Sequence, residues 1–372
     1  MDESSRGKKL IFSAILFLIV LVFAELIASE ALLLRMRRSD YENFSLREFS
    51  YSSALNVIYA IGFKVGIFPD NRLQLRQTFE PQPHRAVDPE LGYRELPGKG
   101  TVTYSRKFAK LPWEHLRIQQ TTNKDGTRWT GEFYPNYKSS VYIFGDSFVH
   151  GDGVNDEQTF SALLQQSRPD LRVRLFALGG WGLVQSYVNF NKIKSEIRPE
   201  DIIVVGYAGY LDVRHVMAPS YLRATDKWQK ERAQSVDDLL LPAATVNAEG
   251  RIEISPVQQR CSLNESYCQR SDPPKSEMTK VSAALINYMA ANTDARVFVL
   301  HYEWGIQADP RNPVFDLLDS RIVRIPALLS DFDYFISDDV VGFDPHPGPY
   351  WHYAISRKLI GILAQTEAAA NH

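Results

Sequence analysis

The chain reads as an α/β protein, a prediction that rests on three observations. Short runs rich in Val, Ile, Leu and Phe recur from about residue 139, helical stretches alternate with them, and one of the runs ends in a serine turn. The strand candidates are VYIFGDS, beginning at Val141, then 172–178 (RVRLFAL), 202–206 (IIVVG) and 297–301 (VFVLH), with 334–337 as a weaker fifth. Helices are expected at 159–166, 183–197, 277–292 and 350–365. Nearly continuous apolar strands suit a mostly parallel sheet covered on both faces, whose chemistry sits at the carboxyl ends of the strands. A long insertion separates the third strand from the fourth.

Composition limits the function classes. With 42 basic and 44 acidic residues among 372, the formal charge is -2, and no basic face for nucleic acid is expected. A hydrophobic share of 44% belongs to a folded chain. Two cysteines exclude a disulfide-built scaffold and a four-cysteine metal site. The histidines show no H-E-x-x-H spacing, so neither metal nor cofactor is expected. The sequence GGWG lacks the full pattern of a dinucleotide loop.

The N-terminus carries a membrane signal. Residues 10–24 are uncharged and follow Arg6, Lys8 and Lys9, and the apolar pattern continues to Leu34. About 20 such residues span a bilayer. The expected organisation is a cytoplasmic tail (1–9), a transmembrane anchor (10–34), a membrane-proximal region and linker (35–138) and the α/β domain (139–372). A cleaved signal peptide with small residues Ala28 and Ala31 is the alternative. Residues 54–68 read as a helix packed on the soluble part or lying on the membrane. Pro69, Pro81, Pro83, Pro89 and Pro97, set among charged residues, suggest a linker without regular structure.

The first strand ends in Gly145, Asp146 and Ser147, followed by Phe148 and Val149, then His150, Gly151, Asp152, Gly153 and Val154. On a strand-to-helix turn the Ser147 hydroxyl projects from the sheet, and the helix N-terminus offers N–H groups to an oxyanion. Such a serine needs a histidine oriented by a carboxylate. Asp344 and His346, in the sequence D-P-H-P before the last helix, supply both types. Asp146 reads as a turn cap, His352 as a packing residue, and His150 and Asp152 as members of a mobile glycine-rich turn with a candidate substrate contact. Cys261 and Cys268, which enclose six residues within the insertion, are a candidate disulfide, which would require an oxidising compartment.

These residues together resemble the SGNH, or GDSL-like, hydrolases over about 139–365. GDSF followed by G-x-G-V resembles the first family block, Gly179-Gly180-Trp181-Gly182 with Gln185 the second, and D-P-H-P the last. The stretch from Thr122 to Arg128 (TNKDGTR), and the N-terminal AELIASEALLLR, resemble elements of membrane-anchored bacterial members. The resemblance implies a three-layer α/β/α flavodoxin-like fold. It implies Ser147 as nucleophile, His346 as base and Asp344 as its orienting acid, with Ser147 and Gly180 N–H groups in the oxyanion hole. The asparagine usual after the third strand is absent from GYAGYLDVR. Tyr210 occupies the nearest equivalent position, with Arg214 as a second candidate donor.

The resemblance further implies a membrane-anchored serine esterase acting on acyl esters, in particular O-acetyl groups of a carbohydrate or envelope polymer. The catalytic domain would lie outside the cytoplasm. The same triad would serve a polysaccharide O-acetyltransferase supplied by a membrane acyl-transfer partner. Loss of the third block's donor, with weakened or no catalysis, would leave a glycan-binding or assembly protein of the same fold.

Overall fold

The structure is a computed structural model that describes residues 73–81, 84–108, 114–231, 239–302, 312–327 and 346–370. The anchor at 10–34, the segment 54–68, the strand expected at 334–337 and Asp344 lie outside the described residues. Among the described residues no helix is long and apolar enough to cross a membrane.

Five parallel strands form the centre: β6 (Ser139–Gly145), β7 (Leu171–Ala177), β8 (Ile202–Tyr207), β11 (Arg296–His301) and β12 (Val323–Pro326), in the order β12-β11-β8-β6-β7. Renumbered within this sheet, the order is 2-1-3-4-5, the flavodoxin-like winding that the family resemblance implies. Every residue of β6 and β8 is buried, as central strands covered on both faces must be. Among the described residues the fifth strand of the sheet is Val323–Pro326, a segment the sequence pattern does not mark. A four-residue strand carries little pattern, and VRIP, with its arginine and terminal proline, gave no continuous apolar run.

Helices α1 (Phe160–Ser167) and α5 (Pro349–Ala370) cover one face, where Phe160, Leu164, Trp351, Ile355 and Leu359 meet Val141, Ile143 and Leu175. On the other face, α2 (Leu183–Ile193) and α4 (Lys275–Ala291) bring Leu183, Phe190, Ile286 and Met289 onto Phe144, Ile203 and Val205. The α1 start is capped by Thr159, whose hydroxyl accepts from the Ala162 N–H. The insertion after β8 holds α3 (Pro219–Glu231) and an antiparallel hairpin of β9 (Leu240–Val246) and β10 (Ile252–Gln258). It also holds the Cys261–Cys268 disulfide, with Cα atoms 5.6 Å apart.

The proline-rich stretch is not a structureless linker. Strands β1 (Leu73–Glu80), β4 (Gly98–Phe108) and β5 (Glu114–Thr122) pair antiparallel, and β2 (Arg85–Asp88) and β3 (Gly92–Glu95) form a hairpin. Pro81, Pro89 and Pro97 fall between strands, where no ladder donor is required, so they separate the strands instead of preventing them. Val102, Tyr104 and Ile118 form a small core of their own, while Leu91 and Tyr93 join the main core beside Leu239 and Leu241.

Arg128 joins this upstream region to the parallel sheet. Its backbone bridges Thr122 on one side and Leu175 of β7 on the other. Its guanidinium is 1% exposed. It pairs with Asp156 at 3.0 Å and donates to the carbonyls of His150, Gly151 and Val154 at 2.7–2.8 Å. The Thr122–Arg128 motif is thus a clamp on the loop that follows Ser147, and Asn123 holds the motif's own turn by donating to Thr127 and to the Arg128 carbonyl. Replacing Arg128 with methionine leaves the Asp156 carboxylate buried without its cation. This should cost about 3–5 kcal/mol of stability, measurable by urea unfolding.

Candidate active site

β6 delivers Ser147 to the carboxyl edge of the sheet, beside the gap between β6 and β8 where the winding reverses. Gly145 must lack a side chain, because a Cβ there would lie 2.5 Å from Val149 of the following helical turn. Asp146 caps that turn: its Oδ1 accepts from the Phe148 N–H at 2.9 Å. Its Oδ2 receives the Arg214 guanidinium in a buried ion pair. Burial disfavours the charge on Arg214, but the facing carboxylate outweighs it and holds the guanidinium above its ordinary range. Arg214 thus reaches the residue before Ser147 and is engaged there by Asp146.

His346 is brought to the same turn, with its ring centroid 5.4 Å from that of Phe148, the residue after Ser147. His352, one turn into α5, is fully buried. It stacks on Phe160 and accepts from the Phe160 N–H at 3.3 Å, and burial lowers it to about 3, the behaviour of a neutral packing residue. Gly180 has φ +87°, a conformation natural to glycine. Gln185 closes the start of α2 by accepting from the Gly182 N–H at 2.8 Å. Tyr210 lies on the turn Gly209–Leu211 beyond β8 and is 37% exposed. The buried tyrosine at the strand end is Tyr207, whose hydroxyl donates to Asp212. Asp212 is occupied away from Ser147, accepting also from Thr279 and Ser282 of α4. No group of His, Cys, Asp and Glu suited to a metal ion occurs among the described residues.

The glycine turn after Ser147 is buried and tightly bonded, contrary to the mobility expected of it. His150 is 1% exposed; its Nδ1 lies 2.6 Å from Asp152 Oδ1 and its Nε2 3.7 Å from Glu95 Oε2. Burial works against the imidazolium, but the two carboxylates outweigh it, so His150 titrates above its ordinary 6.5. Glu95 is held at about 2: burial opposes its charge, and His150, Arg85 and the Thr122 hydroxyl overcome that opposition. Asp152 is held below its ordinary range in the same way: burial opposes its charge, and its contacts with His150, together with Arg85, overcome that opposition.

Sequence reasoning missed Tyr93, Glu95 and Tyr221. The tetrapeptide GYRE of β3 carries a faint signal, because alternation places Tyr93 and Glu95 on one face of the strand. Tyr93 donates to the Gly179 carbonyl at 2.7 Å, and Tyr221, in the first turns of α3, donates to the Gly180 carbonyl at 2.9 Å.

No family model matches the chain, and no curated protein matches it either. Solved structures match about 60% of its length at low identity. A psychrotrophic esterase, EstA, from Pseudoalteromonas sp. shares 12% identity over 62% of this chain and 100% of its own, with a TM-score of 0.33. A lipolytic protein of the G-D-S-L family from Veillonella parvula shares 12% over 61% and 98%, at 0.30. The acetylxylan esterase Axe2 from Geobacillus stearothermophilus shares 10% over 60% and 94%, at 0.33.

The Glu95–His150–Asp152 array makes stability depend on pH. A raised histidine pKa stabilises the fold fully below about 6.5 and loses that contribution as pH rises through the folded value. A lowered Glu95 contributes above 4.5 and is lost as pH falls toward about 2. The stability difference between wild type and His150→Gln should therefore be largest between pH 4.5 and 6.5 and shrink toward alkaline pH, as read from urea midpoints across that range.

Proposed function

We propose that the protein is a serine esterase acting on acyl esters, in particular O-acetyl esters of a carbohydrate or cell-envelope polymer. The observation that carries this reading is the placement of Ser147 at a capped strand-to-helix turn, with His346 brought against the neighbouring Phe148. In the reaction, Ser147 Oγ attacks the ester carbonyl carbon while His346 accepts its proton. Asp344, two residues before His346, orients the imidazole and offsets its positive charge. The oxyanion is held by the Ser147 and Gly180 N–H groups and the Tyr210 hydroxyl. His346 then protonates the departing alkoxide. A water, deprotonated by the same histidine, attacks the acyl-serine and releases the acid. A sugar hydroxyl in place of water would make the product an acylated glycan, the outcome expected of an O-acetyltransferase with a membrane acyl-transfer partner.

We place the catalytic domain outside the cytoplasm, held by the membrane anchor expected from the sequence at 10–34. The Cys261–Cys268 disulfide supports this location, since such bonds persist in oxidising compartments.

The test is the full-length chain with an aryl acetate, with and without oligosaccharide acceptors. Ser147→Ala should lower turnover by at least ~10³-fold with an unchanged melting temperature. Acid release independent of acceptor supports hydrolysis, and acceptor-dependent acetylation supports transfer. Failure to form an acyl-serine in the wild type would leave a glycan-binding protein.

Tyr210→Phe separates the hydroxyl from the ring. Loss of one oxyanion donor should lower kcat ~10²- to 10³-fold with little change in KM. A loss under about tenfold would pass the role to Arg214 or to a hole of two donors.

A further inference from the structure

The upstream hairpin and the insertion helix α3 each send one phenol to the same glycine turn. Tyr93 of β3 donates to the Gly179 carbonyl at 2.7 Å, and Tyr221 of α3 donates to the Gly180 carbonyl at 2.9 Å. The Gly179–Gly180 peptide is trans, and in a trans peptide the C=O and N–H point in opposite directions. Fixing the Gly179 oxygen on Tyr93 therefore fixes the Gly180 N–H to point away from Tyr93. The Tyr221 bond holds the next peptide plane, so both planes flanking Gly180 are pinned.

From this geometry we infer that Tyr93 and Tyr221 are positioning residues that aim the Gly180 N–H at the developing oxyanion. The inference rests on the esterase reading, in which that N–H is a donor. Two further features fit it. Gly180 sits at φ +87°, and a Cβ on it would lie 2.5 Å from Tyr93 Oη, so the turn is shaped around that hydroxyl. Burial raises both phenols above their ordinary pKa, so they remain protonated and able to donate at any working pH. Tyr93 is itself held from both sides: the Arg85 guanidinium lies 4.9 Å from its ring centroid, and the Trp181 ring lies 6.4 Å away.

The physical expectation is specific. A ground-state ester needs little from a preorganised donor, whereas the tetrahedral oxyanion needs it at the right position. Tyr93→Phe keeps the ring and its packing but frees the Gly179–Gly180 peptide to rotate.

The experiment compares wild type, Tyr93→Phe, Tyr221→Phe and Ser147→Ala on an aryl acetate, together with the inactivation rate by a phosphonate that mimics the tetrahedral state. Support is a fall in kcat of about 10- to 100-fold for Tyr93→Phe, with KM within about threefold and a parallel fall in phosphonate inactivation. If Tyr93→Phe does not fold, Tyr221→Phe decides by the same criteria. A kcat loss below tenfold, or a shift in KM that matches the shift in kcat, overturns the inference while an inactive Ser147→Ala leaves the esterase reading standing. Equal rates in wild type and Ser147→Ala overturn both.

Discussion

A guanidinium buried almost completely, with its charge met by one carboxylate and three backbone carbonyls, governs how this protein is put together. Desolvating Arg128 is costly by itself, and it is tolerable here because Asp156 and the carbonyls of His150, Gly151 and Val154 occupy its donors. Those carbonyls belong to the loop that leaves the candidate nucleophile. The backbone of Arg128 is at the same time the link between the upstream antiparallel sheet and the edge strand of the parallel one. A single residue thus couples the accessory region, the open edge of the sheet and the conformation of the serine loop. The edge is covered further by Gln165, which donates to the Leu171 carbonyl and accepts from the Val173 N–H, and by the Thr130 hydroxyl on the Val173 carbonyl.

The site is correspondingly composite. The α/β domain supplies Ser147, the glycine turn and His346, but the carboxylate facing His150 and the phenol on Gly179 come from β3, and the phenol on Gly180 comes from the insertion. Around the Ser147 turn the charges alternate: Arg214 on Asp146, His150 between Glu95 and Asp152, Arg128 on Asp156. Each buried ion has a partner of opposite sign, so the charged groups are fixed before any substrate arrives. Preorganisation of this kind is what lets dipoles and charges act on a transition state without reorganising first.

The parallel sheet was legible because its strands advertise themselves. IIVVG and VFVLH are apolar throughout, as only a strand covered on both faces can be, and the alternating helices followed from their spacing. The serine turn was legible from GDS before a helix, and so was the capping role of Asp146. The short strand at Val323 was not, since it is only four residues long and carries an arginine in its middle. The antiparallel strands upstream were hidden by their prolines, which stand in turns where the sequence pattern alone reads a general absence of structure. The pairing of Glu95 with His150 could not be read at all, since it joins residues 55 positions apart, and nothing local marks either as the other's partner. The sequence singles out Tyr210 as standing nearest the position of the absent asparagine; the strand itself ends at Tyr207, and Tyr210 lies on the turn beyond it.

The hairpin's reach into the glycine turn also bears on the order in which the molecule forms. The bond from Tyr93 to Gly179 spans 86 residues, the pair of Arg214 and Asp146 spans 68, and the bond from Tyr221 to Gly180 spans 41. Closing such loops before a sheet exists loses chain entropy with no contact to offset it. The neighbouring strands β6 and β7, paired in register, provide the surface on which these long closures become favourable. These closures are therefore expected to follow the pairing of β6 with β7. In refolding, the return of reactivity toward a phosphonate should lag behind the return of the sheet's circular dichroism, and simultaneous recovery would contradict this order.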